Sequence, residues 1–298
     1  MDKRFTQKIL ITGGSGYIGS ELFISLAAEG HKVESYDLEW FGENVNRFNK
    51  KIDYRDLKRN DLKNYDTIIH LAATSSEKLC NKNSSRAYEN NVVGFQHLLN
   101  EIDGQRLIYA STASVYEPSG AFNATEQRTQ YNLDCMYNFT KFSMDCLAKL
   151  SNKNYFGLRL GDVNGPSPNL RTDKIINSMV MTALQKGRVD IHNSETQYPI
   201  VGMNDFNRVI EVLLNSNRAW GIYNISSFNA SALDIGQTVS DAIGVPLYVH
   251  NDEKGYSLSL KTDKFRETFQ FEFEDDVKSI IHHIREDKSR QYFGERAA

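Results

Sequence analysis

Cysteine is scarce in this chain: Cys80, Cys135 and Cys146 are its 3 copies, widely spaced along 298 residues. An odd, sparse set without a Cys-x-x-Cys pair argues against a disulfide scaffold and against a zinc centre. The 7 histidines, His282-His283 among them, show no metal-ligand spacing, so no metal site is expected. No apolar run approaches the ~18 residues of a membrane span. No repeat of about 20 to 50 residues and no low-complexity tract is visible. Charge of one sign is missing as well: 35 basic and 38 acidic residues leave a net −3. Without a local basic cluster, that balance gives no electrostatic pull toward nucleic acid or anionic membrane. Met1-Asp2-Lys3-Arg4-Phe5 runs directly into a short apolar stretch without a cleavage pattern, and the expected location is the cytoplasm.

What remains is an ordinary globular composition, 40% apolar and 24% charged, long enough for a large core and for about two domains. The first half alternates β-rich runs with helical stretches. The runs at 8–12, 32–37, 66–71, 106–110 and 155–160 read as strands, and the stretches at 18–29, 87–101 and 137–150 read as helices. That alternation predicts an α/β fold: a Rossmann-type, doubly wound parallel sheet with its ligands at the C-terminal strand ends. The second half is less regular. It suggests helices at 173–186, 205–215, 231–243 and 274–286, a strand at 221–225 and a frayed polar tail. Gly165-Pro166-Ser167-Pro168 breaks regular structure. The expected boundary lies there, giving a dinucleotide-binding domain at 1–165 that also carries catalysis. A smaller α/β substrate-binding domain at 166–298 follows, with some chain crossing back.

Gly13-Gly14-Ser15-Gly16-Tyr17-Ile18-Gly19 follows the first strand and opens the first helix. Gly13 allows the tight turn, Gly16 lets backbone N–H groups approach a pyrophosphate, and Gly19 lets the helix pack against the sheet. The helix N-terminus then stabilises the phosphate charge. Asp37 ends the second strand, where a carboxylate accepts hydrogen bonds from the adenosine ribose and repels a 2′-phosphate. No Lys or Arg lies between Asp37 and Asn46, so NAD is expected rather than NADP.

Tyr137 and Lys141 stand four residues apart, on one face of a helix. A phenol is a poor base at neutral pH until an adjacent ammonium favours its phenolate. The pair can then move a proton at a carbinol oxygen. Tyr-x-x-x-Lys is common by chance, and an exposed helix face is the alternative. Its position after a strand ending Ala110-Ser111-Thr112 favours chemistry, because a hydroxyl there can hold the substrate oxygen.

In this order the motifs resemble the extended short-chain dehydrogenase/reductase family, the NAD-dependent nucleotide-sugar epimerases, dehydratases and reductases. The likeness runs through most of the chain. It implies NAD contacts from Gly13, Gly16, Tyr17, Ile18 and Gly19, from Asp37, and from Asp56-Leu57 as the adenine-contacting pair. Leu71, Ala72 and Ala73 after the fourth strand, and Asn91 within Asn90-Asn91-Val92-Val93-Gly94, complete the set. It also implies that Tyr137 is the general base or acid, that Lys141 binds the nicotinamide ribose and tunes the tyrosine, and that Thr112 holds the sugar hydroxyl, with Ser114 beside it. Family members often dimerise through two helices per subunit, here 87–101 and 137–150.

The departures bear on reaction type. Sugar 4,6-dehydratases of this family carry Asp-Glu after the catalytic Thr, whereas this chain has Ala113-Ser114, resembling the Ser-rich motif of 4-epimerases such as UDP-galactose 4-epimerase. The Cys and Lys of C3/C5-epimerising reductases have no evident counterpart, and Cys135 reads as a core thiol. Where the family grips the nucleotide with an Arg before a hydrophobic-Val-x-Asp segment, this chain has Gln197, although Asp205 matches. Asn164 replaces the usual Tyr before Gly165-Pro166. The stretch from Asn169 to Asn177 resembles a subgroup associated with GDP-heptose, and Arg171 and Asn177 become candidate substrate contacts. Helix-start polarity explains them equally well. The implied activity is C4 oxidation of a nucleotide-sugar to a 4-keto species followed by re-reduction, an epimerase. A 4-dehydrogenase or 4-keto reductase is the alternative, and a non-catalytic NAD-binding protein a further one.

Overall fold

A computed structural model describes residues 6–42, 45–116, 122–250 and 257–287. Met1 to Phe5 and most of the polar tail lie outside the described residues. The strands are β1 (Lys8–Thr12), β2 (Lys32–Tyr36), β3 (Asn49–Lys50), β4 (Thr67–His70), β5 (Arg106–Thr112), β6 (Tyr155–Leu160), β7 (Asp162–Asn164), β8 (Val189–His192), β9 (Gln197–Gly202), β10 (Gly221–Ile225), β11 (Phe228–Ser231) and β12 (Leu247–His250). The helices are α1 (Tyr17–Ala28), α2 (Arg59–Leu62), α3 (Glu77–Lys82), α4 (Ser84–Tyr88), α5 (Gly94–Glu101), α6 (Met136–Leu150), α7 (Ile175–Lys186), α8 (Met203–Leu214), α9 (Ala232–Ile243), α10 (Asp263–Phe269) and α11 (Val277–Arg285).

The continuous apolar run of β1 is explained by a sheet covered on both faces. Ile9 and Ile11 face α1, α8 and α10, where they meet Leu22, Leu26, Phe206, Val209 and Phe265. Leu10, between them, faces the other way, toward Leu62, Phe95, Leu98 and Met144 of α2, α5 and α6. The sheet has seven strands in the order β10-β6-β5-β4-β1-β2-β3, all parallel. The chain turns in opposite directions after β1 and β4, so a crevice opens beyond their C-terminal ends.

β10 returns to this sheet beside β6, and α8 packs in its core. Residues beyond 166 therefore serve both parts of the molecule. The smaller part combines the β11-β9-β7 sheet and the β12-β8 pair with α7, α9 and α11, around Ile176, Val180, Ile191, Ile235 and Ile281. β7, β8, β11 and β12 are only three or four residues long, too short for a sequence period to stand out. Caps moved several helix boundaries. α11 starts at Val277 because Asp276 and Ser279 cap it reciprocally, at 2.7 and 2.9 Å. The stretch 87–101 divides into the end of α4, a wide π-helical turn at Glu89–Val93, and α5.

Candidate active site

The glycine loop closes the crevice floor. Gly13 sits at φ +82°, and a Cβ there would stand 2.5 Å from the Ala72 backbone nitrogen. Only glycine lets β1 and the segment after β4 approach so closely. A Cβ on Gly19 would fall 2.2 Å from the Gly13 carbonyl oxygen. Its role is to let α1 close on the loop itself, which revises the expected packing against the sheet. Asp37 holds the loop from β2: its carboxylate accepts the Ser15 N–H at 3.1 Å and the Glu39 N–H at 2.6 Å. Burial raises its pKa against those bonds.

From the loop a cleft of about 1460 Å³ extends over the strand ends. It is lined in sequence by Gly13 to Gly19 except Gly14, by Asp37 to Phe41, by Leu71 to Ala73, and by Ala110 to Ser114. Tyr137, Lys141, Arg171, Lys174 and the Gln197-Tyr198-Pro199 edge of β9 line it further along. Arg86 of α4 stacks over the ring of Trp40, 4.3 Å from its centre.

Tyr137 and Lys141 both face this cleft from α6, whose N-cap is Cys135. Burial raises the Tyr137 pKa, while a hydrogen bond with the Thr112 side chain and the charge of Arg171 lower it. Thr112 Oγ1 lies 2.7 Å from Ser114 Oγ and accepts the Ser114 N–H at 3.2 Å. Lys141 is 3% exposed, and its ammonium donates to the Ala110 carbonyl at 2.8 Å. Burial pulls its pKa down to about 8. The C-terminal end of β5 and one face of α6 thus bring the three predicted catalytic groups together.

On the opposite wall, Arg171 Nε donates to Asp173 at 2.9 Å, and Lys174 donates to Asp162 at 2.7 Å. Asn177 does not reach the cleft. It is fully buried, its carboxamide oxygen accepting the Gly165 N–H at 2.9 Å and its nitrogen donating to the Tyr17 hydroxyl at 3.0 Å. Asn164, in place of the family's Tyr, caps α7 by accepting the N–H groups of Ile176 and Asn177 at 2.9 and 3.3 Å. Asp205 is a structural anchor: it accepts the Asp275 N–H while Asp275 accepts its own, both at 2.8 Å.

A sequence profile described as the NAD dependent epimerase/dehydratase family matches residues 9–226. The chain belongs to this family. It is 26% identical over 273 residues to a dTDP-D-glucose 4,6-dehydratase of Dictyostelium discoideum, covering 80% of this chain and 62% of that one. It is 30% identical over 233 residues to Protein CapI of Staphylococcus aureus, covering 69% and 67%. The first relative thus extends well beyond what this chain matches. The fold is shared with the UDP-glucose 4-epimerase of Thermotoga maritima solved with UDP-glucose, at TM-score 0.81 and 20% identity over 94% of this chain and 99% of that one.

The loop fits the dinucleotide for which the family is named. Among the described residues the Ser15 hydroxyl, buried there, has no hydrogen-bond partner, and the start of α1 presents its N–H groups to the same space. Gly13, Ser15 to Gly19, Asp37 and Leu71 to Ala73, which line the cleft, would hold it. Asp56 and Leu57 do not line the cleft; Asp53 and Tyr54, three residues earlier, do. The turn explains the offset. Asp53 caps it by accepting the Arg55 N–H at 3.0 Å, leaving Asp53 on the cleft side and Leu57 in the core. Asn91 is likewise turned inward, bonding Thr74 and Thr140, and Asn90 lines the cleft instead. The short β3 just before Asp53 was the missing signal.

Proposed function

We propose that this protein binds NAD along the glycine loop and a nucleotide-sugar beside it, and epimerises the sugar at C4 through a 4-keto species. The observation that carries this reading is the convergence of Thr112, Tyr137 and Lys141 on one cleft, with Ala113 and Ser114 where a dehydratase would need acids. Bound NAD supplies the hydride acceptor and donor. Thr112 orients the C4 hydroxyl, Tyr137 takes its proton as a phenolate and later returns it from the neutral phenol, and the Lys141 ammonium favours the phenolate that begins and ends the cycle. In the opposite wall, Asp162 and Asp173 are paired with Lys174 and Arg171, which leaves them poorly suited to expel water from the sugar. Residues 166–298 mainly enclose the nucleotide-sugar in this proposal, with Arg171 as a contact. A homodimer would cover the exposed Tyr88, Val93, Phe139 and Leu150 of α4 to α6.

The test is a panel of UDP-, GDP-, CDP- and dTDP-sugars followed by chromatography and by absorbance at 340 nm. Epimerisation gives a stereoisomer of equal mass without stoichiometric absorbance change. A product lighter by one water would instead make it a dehydratase, and a stoichiometric change a net dehydrogenase. Tyr137→Phe should keep NAD bound and cut turnover by about 10²–10⁴-fold; unchanged turnover would remove Tyr137 from the chemistry.

A further inference from the structure

Lys141 is buried with a backbone carbonyl as its close acceptor, and among the described residues no carboxylate is within ion-pair distance of it. An ammonium so placed needs a compensating charge nearby. Asp145 stands one turn further along α6, 2% exposed and absent from the cleft wall. Its two oxygens are occupied: one accepts Arg159 Nε at 2.8 Å, the other the Tyr109 hydroxyl at 3.0 Å. Arg159 in turn donates to the Tyr116 hydroxyl at 2.9 Å, which donates to Asn224 at 2.7 Å. β5, β6, β10 and α6 are thereby locked around one carboxylate, whose pKa burial raises while Arg159 and the Tyr109 hydrogen bond pull it back down.

We propose that Asp145 is a positioning residue for the proton transfer: held ionised and immobile by Arg159 and Tyr109, it keeps the Lys141 ammonium charged and aimed at Ala110 and the catalytic tyrosine. The inference rests on the reading of Tyr137 and Lys141 given above. Tyr137 and Asp145 stand one turn to either side of Lys141 on α6, Cys80 on α3 and His70 on β4 couple to it electrostatically, and Arg159 on β6 lies behind Asp145. Burial pushes the Cys80 thiol up to about 11 and the His70 imidazole down to about 3, so both are neutral near pH 7. Asp145 is the largest charge opposing the burial of Lys141. At an effective dielectric of ~20, one carboxylate a helical turn away is worth about one pH unit or more to an ammonium.

The experiment is direct titration of Lys141 by NMR of ¹³Cε-labelled lysine in the full chain, without cofactor or substrate, with Lys141→Met identifying the resonance. Asp145→Asn should lower the Lys141 pKa by about one unit or more, and Asp145→Glu should restore most of it. Asp145→Leu/Arg159→Leu removes the buried pair together, leaves no lone charge, and should fold where Asp145→Asn does not. It should lower the Lys141 pKa in the same direction. A Lys141 titration unmoved in a folded variant lacking Asp145 overturns the proposal. Because the readout needs no turnover, it stands or falls separately from the epimerase assignment.

Discussion

The Asn177 carboxamide donates to the Tyr17 hydroxyl at 3.0 Å, joining the first residue of α1 to α7 of the smaller part. Tyr17 passes the link on to the Gly165 carbonyl at 2.9 Å. Two residues expected to touch ligands are thus tied to each other, and Arg171 alone of the Arg171/Asn177 pair reaches the cleft.

Asn177→Ala and Arg171→Ala should therefore fail in opposite ways. The first strands the buried Gly165 N–H and leaves the Tyr17 hydroxyl without its donor, costing about 2–4 kcal/mol and lowering the melting temperature by roughly 5–10 °C. The second removes a half-exposed ion pair of little structural worth. It should leave melting unchanged and raise the substrate KM by about tenfold or more. Calorimetry and steady-state kinetics on the two variants separate these outcomes.

Asp37 has two duties, fixing the loop through Ser15 and repelling a 2′-phosphate. Asp37→Ala should weaken NAD binding by about 10- to 100-fold, as expected for lost hydrogen bonds to a charged group. It should also narrow the preference for NAD over NADP. Asp37→Asn keeps an acceptor for Ser15 and should narrow the preference with a smaller loss of NAD affinity. Fluorescence titration with both nucleotides reads this directly. Equal binding of NADP and NAD by the unmodified protein would contradict the role of Asp37.

Lys141 sets an alkaline limit. Its pKa is lowered from 10.5 to about 8 by burial, so its charge is present below pH 8 and lost above it. Turnover that depends on the ammonium should fall as pH rises past about 8. Stability moves the other way: between pH 8 and 10.5 the unfolded chain holds a proton that the native one has released, so this group's contribution to stability rises with pH. Kinetic pH profiles and melts across the same range check both signs.

Glu21 on α1 has a buried carboxylate oxygen with no hydrogen-bond partner among the described residues, and burial raises its pKa from 4.5 to about 7. The native state then holds a proton that the unfolded state releases between those values, so this contribution to stability falls as pH rises from 4.5 to 7. Glu21→Gln should stabilise by roughly 1–2 kcal/mol at pH 8 and by little at pH 4. Equal effects at both pH values would show that ionisation is not the cause.

The parallel sheet was legible because β1, β4, β5 and β6 are apolar on both faces and separated by helices of clear period. The glycine loop, Asp37 and the Tyr137/Lys141 pair were legible too, since each depends on residue type at a short, fixed spacing. Such spacing survives in one dimension because the loop or helix that uses it is itself local.

What the tertiary structure alone decided is which polar residues face the cleft. Asn177, Asn91 and Leu57 are turned inward by a partner far along the chain, a wide helical turn or a cap, and Asp56 is left exposed outside the cleft. Asn177 meets Tyr17 and Asn91 meets Thr140 across long stretches of chain, and no local pattern encodes such a meeting. The charge of Lys141 belongs to the same class. Its spacing from Tyr137 is a sequence property, but the burial that lowers its pKa, and the Arg159 partner that fixes Asp145 beside it, exist only once α6 has packed against β5 and β6.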